Sequence, residues 1–219
     1  NVDRCFITSS PEIFNNKKFF NKLKFIPNPI DNSIDHLRNY KALNLEYDVF
    51  LAVSHGQNRA ILKKNKKDDR EDFLNKIING LNKYKFTTFG FNNTEPIWGS
   101  NYFYHLSKSK IALNISRGNY QKLYSSDRIS SLMGNGLLVF LDKKTGLQKI
   151  FKDKKEAIFF KNKKDLIHKL NYYLQNDQER INVARRGCFK YHKKFSNTNV
   201  VKFILSELKL TNDKINWFK

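Results

Sequence analysis

The residues with the clearest chemical content lie in one stretch, Tyr124-Ser-Ser-Asp-Arg-Ile-Ser-Ser-Leu-Met-Gly-Asn-Gly136, followed at once by Leu137-Leu-Val-Phe-Leu141. The pattern predicts a loop, a short helix, a glycine turn and a buried strand. Ser125 or Ser126 can cap the helix, and Asp127 falls in its first turn, where the helix dipole favours a carboxylate. Gly134 and Gly136 supply the backbone freedom to leave the helix. A helix N-terminus with free N–H groups, two hydroxyls, Tyr124 before it and Arg128 beside it is suited to an anion. An ordinary capped helix in an α/β domain has the same pattern.

Three more segments place polar groups and glycine after an apolar run. Tyr47–Ser54 leads into His55-Gly-Gln-Asn-Arg59. There Gly56 lets backbone approach a ligand, Arg59 can pair with phosphate through two N–H groups, and His55 and Asn58 complete a polar loop. His55 reads equally well as a hydrogen-bonded turn residue. Phe91-Asn-Asn-Thr-Glu-Pro-Ile-Trp-Gly99 ends in Trp98, an indole able to stack a nucleobase or to anchor packing. Asn114-Ile-Ser-Arg-Gly118 offers Arg117. Parallel neighbouring strands would bring Arg59, Arg117 and Arg128 to one crevice. No Ser/His/Asp order, zinc-binding helix or paired-carboxylate helix is present. His105, His168 and His192 read as surface residues of helices.

The elements that must position these groups follow from periodicity. Strand-like runs recur at 5–8, 23–26, 47–54, 85–91, 110–116, 137–142 and 157–160. Helical spacing of apolar residues appears in Phe73, Leu74, Ile77, Ile78 and Leu81, in Leu166, Ile167, Leu170, Tyr173 and Leu174, and in Val200, Phe203, Ile204 and Leu208. Strands alternating with helices predict a mostly parallel sheet covered on both faces. The two prolines of Pro27-Asn-Pro-Ile-Asp31 force extended backbone and mark a linker. The organisation expected is therefore residues 1–37 as the end of a preceding domain plus linker, 38–195 as the α/β unit, and 196–219 as a returning helix.

Composition narrows the class. With 219 residues, 40% hydrophobic content and 19 Phe, the chain is globular. Its apolar runs are too short to span a membrane. The chain starts at Asn1 without Met, so residue 1 does not read as a native start. The net charge of +21 attracts nucleic acid, anionic lipid or phosphorylated ligands. The lysines are spread along the chain, however, and abundant Lys, Asn, Ile, Phe and Tyr are the bias of an A/T-rich genome. Two distant cysteines, Cys5 and Cys188, indicate a reducing compartment.

The ordered segments Ile26–Asp31, Ser54–Arg59, Glu95–Gly99, Ala112–Gly118, Tyr124–Gly136 and Ala184–Gly187 resemble the C-terminal half of GT-B-fold glycosyltransferases of the group 1, CgeB-like type. The resemblance implies a Rossmann-like domain that holds a nucleotide-diphosphate sugar as substrate, with no cofactor and no metal, and passes the sugar to a glycan or lipid-linked acceptor. It implies donor-binding roles for His55, Gly56, Asn58, Arg59, Trp98, Arg117, Tyr124, Ser125, Ser126, Asp127 and Arg128. Many group 1 enzymes carry two glutamates where this chain has Leu123 and Ser131. Asp127-Arg128 is similar instead to the acid–base pair of fucosyltransferases of the same fold, which implies Asp127 on ribose and Arg128 on diphosphate. The catalytic base is expected in an N-terminal domain. The setting implied is bacterial surface-polysaccharide synthesis in the cytoplasm, with a peripheral membrane contact admitted by the basic surface and no specific nucleic acid. The competing reading is a noncatalytic basic module for RNA or an anionic membrane.

Overall fold

The computed structural model describes residues 3–14, 17–53, 69–116 and 121–218. A small parallel pair opens the chain, β1 (Cys5–Ile7) and β2 (Leu23–Phe25), with a short helix α1 (Lys17–Phe20) between them. Five strands then form the main sheet: β3 (Tyr47–Ala52), β4 (Phe86–Phe89), β5 (Ser109–Asn114), β6 (Leu138–Asp142) and β7 (Ile158–Phe160). Every pairing is parallel, in the order β4-β3-β5-β6-β7. The helices are α2 (Arg70–Gly80), α3 (Gly99–Ser107), α4 (Asp127–Gly134), α5 (Lys163–Gln175), α6 (Asp177–Lys194) and α7 (Asn197–Glu207).

The strands bury both faces, as continuous apolar runs require. Alternate residues point opposite ways. Val49, Leu51, Ile111, Leu113, Phe140 and Ile158 join a core with Leu74 and Ile77 of α2, Leu166 and Leu170 of α5 and Val183 of α6. Phe50, Ala112, Val139, Leu141 and Phe159 join a second core with Leu106 of α3, Ile129 and Leu132 of α4 and Val200 of α7. The sequence therefore folds as the α/β unit its periodicity predicts. Periodicity did not delimit α3, nor the longest helix, α6. It packs closest at Gly187, where an added Cβ would stand 2.2 Å from the Glu156 carbonyl oxygen and 3.0 Å from Met133 Cε of α4.

The proline-bearing linker grips α4 at both ends. Asn28 donates its backbone N–H to Ser125 Oγ at 2.9 Å and its side-chain amide to the Ser125 carbonyl at 2.7 Å. Ile30 bridges to Ser196 at the α6–α7 junction. Further on, Asn135 donates to Asp35 at 2.8 Å, and Arg38 donates to the Gly134 carbonyl at 3.1 Å. His192 of α6 also meets the Gly134 carbonyl, through Nε2 at 2.8 Å, while Nδ1 stands 2.6 Å from the Asn32 carboxamide. The expectation that His192 is a surface residue is therefore corrected. It is half-buried because α6 packs its C-terminal half over the end of α4.

Helix α7 lies on the small sheet. Glu207 pairs with Lys24 at 2.9 Å and with Arg4 at 3.8 Å, and Phe203 meets Phe6 edge-on.

Two outcomes test this packing. Gly187→Ala is expected to lower unfolding free energy by about 1–3 kcal/mol, because a backbone carbonyl cannot turn aside. Urea denaturation measures it. Burial lowers the pKa of His192 below its ordinary 6.5, so the folded state favours the neutral ring. Stability from this group is then complete above 6.5 and lost as pH falls through the depressed value. Asp35, raised above 3.8 by burial, has the opposite slope. Melting temperature should rise as pH increases toward 6.5 and level off above it. His192→Gln should flatten that rise, as thermal melts across this range would show.

Candidate functional site at the sheet's carboxyl edge

In this strand order the connection from β3 leads outward to β4 on one side, while β5 continues to β6 on the other. The order reverses between β3 and β5, and open α/β sheets form their ligand crevice at such a point. A cleft of about 720 Å³ lies there. Ala52 at the end of β3, Ser116 after β5, Trp98 and Tyr102 of the α3 region, Tyr124 and three residues of α4 line it, the last being Asp127, Arg128 and Ser131.

Arg128 occupies the reversal itself. Its guanidinium donates Nη1–H to the Ala52 carbonyl at 3.0 Å, Nε–H to Asn114 Oδ1 at 2.8 Å and Nη2–H to the Ile115 carbonyl at 3.0 Å. One side chain thus ties the ends of β3 and β5 together. A guanidinium has five N–H donors. Two remain without a partner among the described residues, on a side chain that lines the cleft. Burial lowers the pKa of this group from its ordinary value, and nearby Arg70 adds to the effect.

Ser126 caps α4, its Oγ accepting the Ile129 N–H at 3.3 Å. Ser125 does not cap; it is held by Asn28. The expected free amides at this helix start are mostly used from within. Asp127 Oδ1 takes the Arg128 N–H at 2.8 Å, and the Ser126 carbonyl takes those of Ile129 and Ser130. The reason is local: a short carboxylate at the first helical position folds back on its own backbone more readily than it waits for a ligand. What this end still offers an anion is the dipole and the two N–H groups of Arg128. The Asp127 side chain is exposed, and its position four residues before Ser131 puts both on one helix face.

Trp98 is the N-terminal boundary residue of α3 and is 67% exposed at the rim of the cleft. The indole is therefore not buried as a packing anchor. Its neighbour Gly99 has φ +59°, which lets the chain turn sharply into the helix. One helical turn on, Tyr102 packs its ring edge-on against Phe50 at 5.3 Å. Burial pushes its phenol up to about 12, with Ser131 offsetting part of the effect.

His55, Gly56, Asn58, Arg59 and Arg117 lie outside the described residues. Of the other expected site residues, Trp98, Tyr124, Asp127 and Arg128 meet in the cleft, whereas Ser125 and Ser126 hold the helix in place. Sequence reasoning missed Tyr102, Arg70 and Gln121, which also line it. The spacing from Trp98 to Tyr102, one turn of a helix, was the available signal for the first. Among the described residues no group of three or more His, Cys, Asp and Glu side chains is placed to hold a metal ion. None of the helices described is long and apolar enough to cross a membrane.

Comparison with known proteins agrees with this architecture. The family model described as glycosyl transferase-like matches residues 66–206, well over half of the chain. The C-terminal domain of the group 1 glycosyl transferase LpcC from Francisella tularensis superposes with a TM-score of 0.51 at 14% identity, covering 78% of this chain and 97% of that domain. A glycosyltransferase from Rickettsia africae gives a TM-score of 0.68 at 12% identity, covering 97% of this chain and 64% of that one. HepE of Anabaena, solved with UDP and glucose, gives 0.67 at 12% identity, covering 95% and 63%. The chain thus spans less than two thirds of the length of the last two proteins. No curated protein matches it in sequence. With its parallel sheet, its strand-order reversal and its cleft at the carboxyl edge, the chain belongs to the glycosyl transferase-like family and has the fold of a GT-B C-terminal half.

Proposed function

We propose that this chain is the donor-binding half of a glycosyltransferase, which holds a nucleotide-diphosphate sugar while its sugar passes to a glycan or other acceptor. The observation that carries the reading is Arg128, fixed by three hydrogen bonds at the strand-order reversal, with two N–H groups that have no partner among the described residues on a cleft-lining side chain. In the reaction, the bond between the anomeric carbon and the terminal phosphate oxygen breaks. The electron pair leaves with the nucleoside diphosphate, and an acceptor oxygen bonds to the carbon and gives up its proton. The developing charge on the diphosphate is what a fixed guanidinium and a helix dipole stabilise, so the proposed mechanism uses no metal. The base that receives the acceptor's proton is assigned to a domain outside residues 3–218. Asp127, with one carboxylate oxygen on its own backbone, is proposed for ligand hydroxyls. His55, Gly56, Asn58, Arg59 and Arg117 are proposed as further donor contacts. Because HepE was solved with UDP, that nucleotide is the first to test. A location in the cytoplasm, with peripheral contact to a membrane through the basic surface, belongs to the same reading.

The charge of +21 favours one alternative, a basic module that binds RNA or anionic lipid without catalysis. A single experiment separates the two. Calorimetric titration with UDP and GDP should show saturable binding of at least one, unchanged by EDTA. Arg128→Ala should weaken it by about 1.5–3 kcal/mol, the range for a charged hydrogen bond. Arg128→Lys should also lower thermal stability, because an ammonium lacks the fork that reaches three acceptors. Binding of RNA or anionic vesicles with no nucleotide binding would favour the alternative. Strict dependence on Mg²⁺ or Mn²⁺ would overturn the metal-free mechanism. The isolated chain should turn over little, since placing acceptor against donor contributes much of such catalysis.

A further inference from the structure

A second cavity, of about 530 Å³, lies across the loop that leads into α4. Gln121 and Tyr124 of that loop line the cleft described above, whereas Leu123 lines this cavity. Leu123 has φ +60°, a left-handed backbone that branched side chains seldom adopt. Its N–H is held by the Thr145 carbonyl at 2.7 Å. The strained turn sends neighbouring side chains into separate cavities. The loop is also clipped to the segment after β1. Ser10 donates its N–H to the Lys122 carbonyl at 2.7 Å, and Ser9 Oγ donates to the Gln121 side-chain oxygen at 3.0 Å. The two cavities are thus one loop apart, and hydrogen bonds fix that loop.

The wall of the second cavity is apolar. Phe20 of α1, Phe25 of β2, Pro11 and Leu123 form it, and Phe218 closes over Phe25 with the rings 5.9 Å apart. Phe20 and Phe218 remain 41% and 47% exposed. Phe14 and Phe19, from the same stretch of chain as Phe20, are 47% and 51% exposed. Exposed aromatic rings grouped around an apolar concavity mark a binding site. Charge at the rim selects the occupant. Lys149 lines the cavity, and Glu12, the acidic residue in its described lining, is already paired with Lys122. Both lysines hold the Glu12 carboxyl below its ordinary range. The rim is therefore net positive and complements an anion. A second copy of this chain, at +21, would bring like charge to it. An apolar chain that ends in an anionic head satisfies both wall and rim, and its head would lie one loop from the cleft.

We infer that the acceptor is an amphiphilic lipid with an anionic head, whose apolar chain occupies the cavity between Phe20, Phe25, Leu123 and Phe218. The inference rests on the donor-binding reading above and narrows its acceptor from glycans in general to a lipid-borne one. Leu123 and Tyr124 then stand at the junction of two sites, one apolar and one for the nucleotide sugar.

The test is calorimetry with octyl, decyl and dodecyl phosphate, each kept below its micelle concentration, with UDP titrated separately. Affinity should rise by about tenfold for every two methylenes, as burial of an alkyl chain requires. Phe20→Glu and Phe218→Glu should each weaken dodecyl phosphate at least tenfold. Because both rings are half-exposed, melting temperature and UDP affinity should stay unchanged. Lys149→Glu should weaken dodecyl phosphate several-fold. Equal affinity along the alkyl series, or full affinity in both phenylalanine variants, would overturn the inference while normal UDP binding left the donor-binding reading intact. Absence of UDP binding by wild type would overturn both. Self-association in sedimentation that the phenylalanine variants abolish, without alkyl phosphate binding, would assign the face to a second copy and overturn the inference. Loss of alkyl phosphate binding in a longer protein that includes the catalytic base would assign the face to packing between domains and also overturn it.

Discussion

The arrangement of this domain depends on one guanidinium placed where the strand order reverses. In a parallel sheet the carbonyls at the carboxyl ends of neighbouring strands are normally followed by loops that leave in related directions. At the reversal the loops part, and the terminal carbonyls of two strands face an open crevice. Those carbonyls need donors. Arg128 provides them for Ala52 and Ile115 and adds the Asn114 side chain. A water molecule could satisfy one of them, but it would not fix the distance between β3 and β5 or the angle at which α4 enters. The planar fork does both. The cationic centre is therefore already immobilised before any ligand arrives, so binding does not have to order it.

The same logic extends along α4. A helix of eight residues has little stability of its own. Here its beginning is held by Ser126 and by the Asn28–Ser125 pair, and its end by Asn135, Arg38 and His192. All of these but Ser126 involve the segment that leads from the small β1–β2 sheet, His192 through Asn32. The linker is thus mechanically part of the site. The group that confronts the crevice and the segment that joins the two parts of the chain share one short helix.

Much of this was legible in the sequence, for identifiable reasons. Strands buried on both faces must be continuously apolar, so β3, β5 and β6 announce themselves. The apolar stripes of α2, α5 and α7 do the same at helical spacing. In contrast, α6 is interrupted by Arg185, Arg186, Gly187 and several lysines, and its buried residues Val183, Ala184, Cys188 and Tyr191 form a narrow stripe. Its length becomes intelligible only when Gly187 is seen against Glu156. Arg128 was legible as a chemical type but not in its partners, because Ala52 lies 76 positions away and its adjacency is a property of sheet order. His192 was misread for the same reason: its partner Gly134 is 58 positions away. Tyr102 carried only its one-turn spacing from Trp98, a weak sign because an aromatic in an amphipathic helix is ordinarily core, and its ring is indeed packed as core.

The large positive charge and the site are separate matters. Many of the basic groups described are already paired across the surface: Lys108 with Glu46, Lys110 with Asp48, Lys190 with Glu156 and Lys169 with Asp165. The partly exposed pairs of Lys108 and Lys110 contribute little to stability, the pairs of Lys190 and Lys169 are more buried, and the lysines as a whole are spread along the chain. Their collective field can speed the approach of an anion, and salt weakens that effect within a Debye length. The fixed charge of the cleft is set elsewhere, by a guanidinium committed to three acceptors. Attraction at long range and the fixed geometry of the cleft are thus carried by different residues, so net charge alone does not point to the cleft.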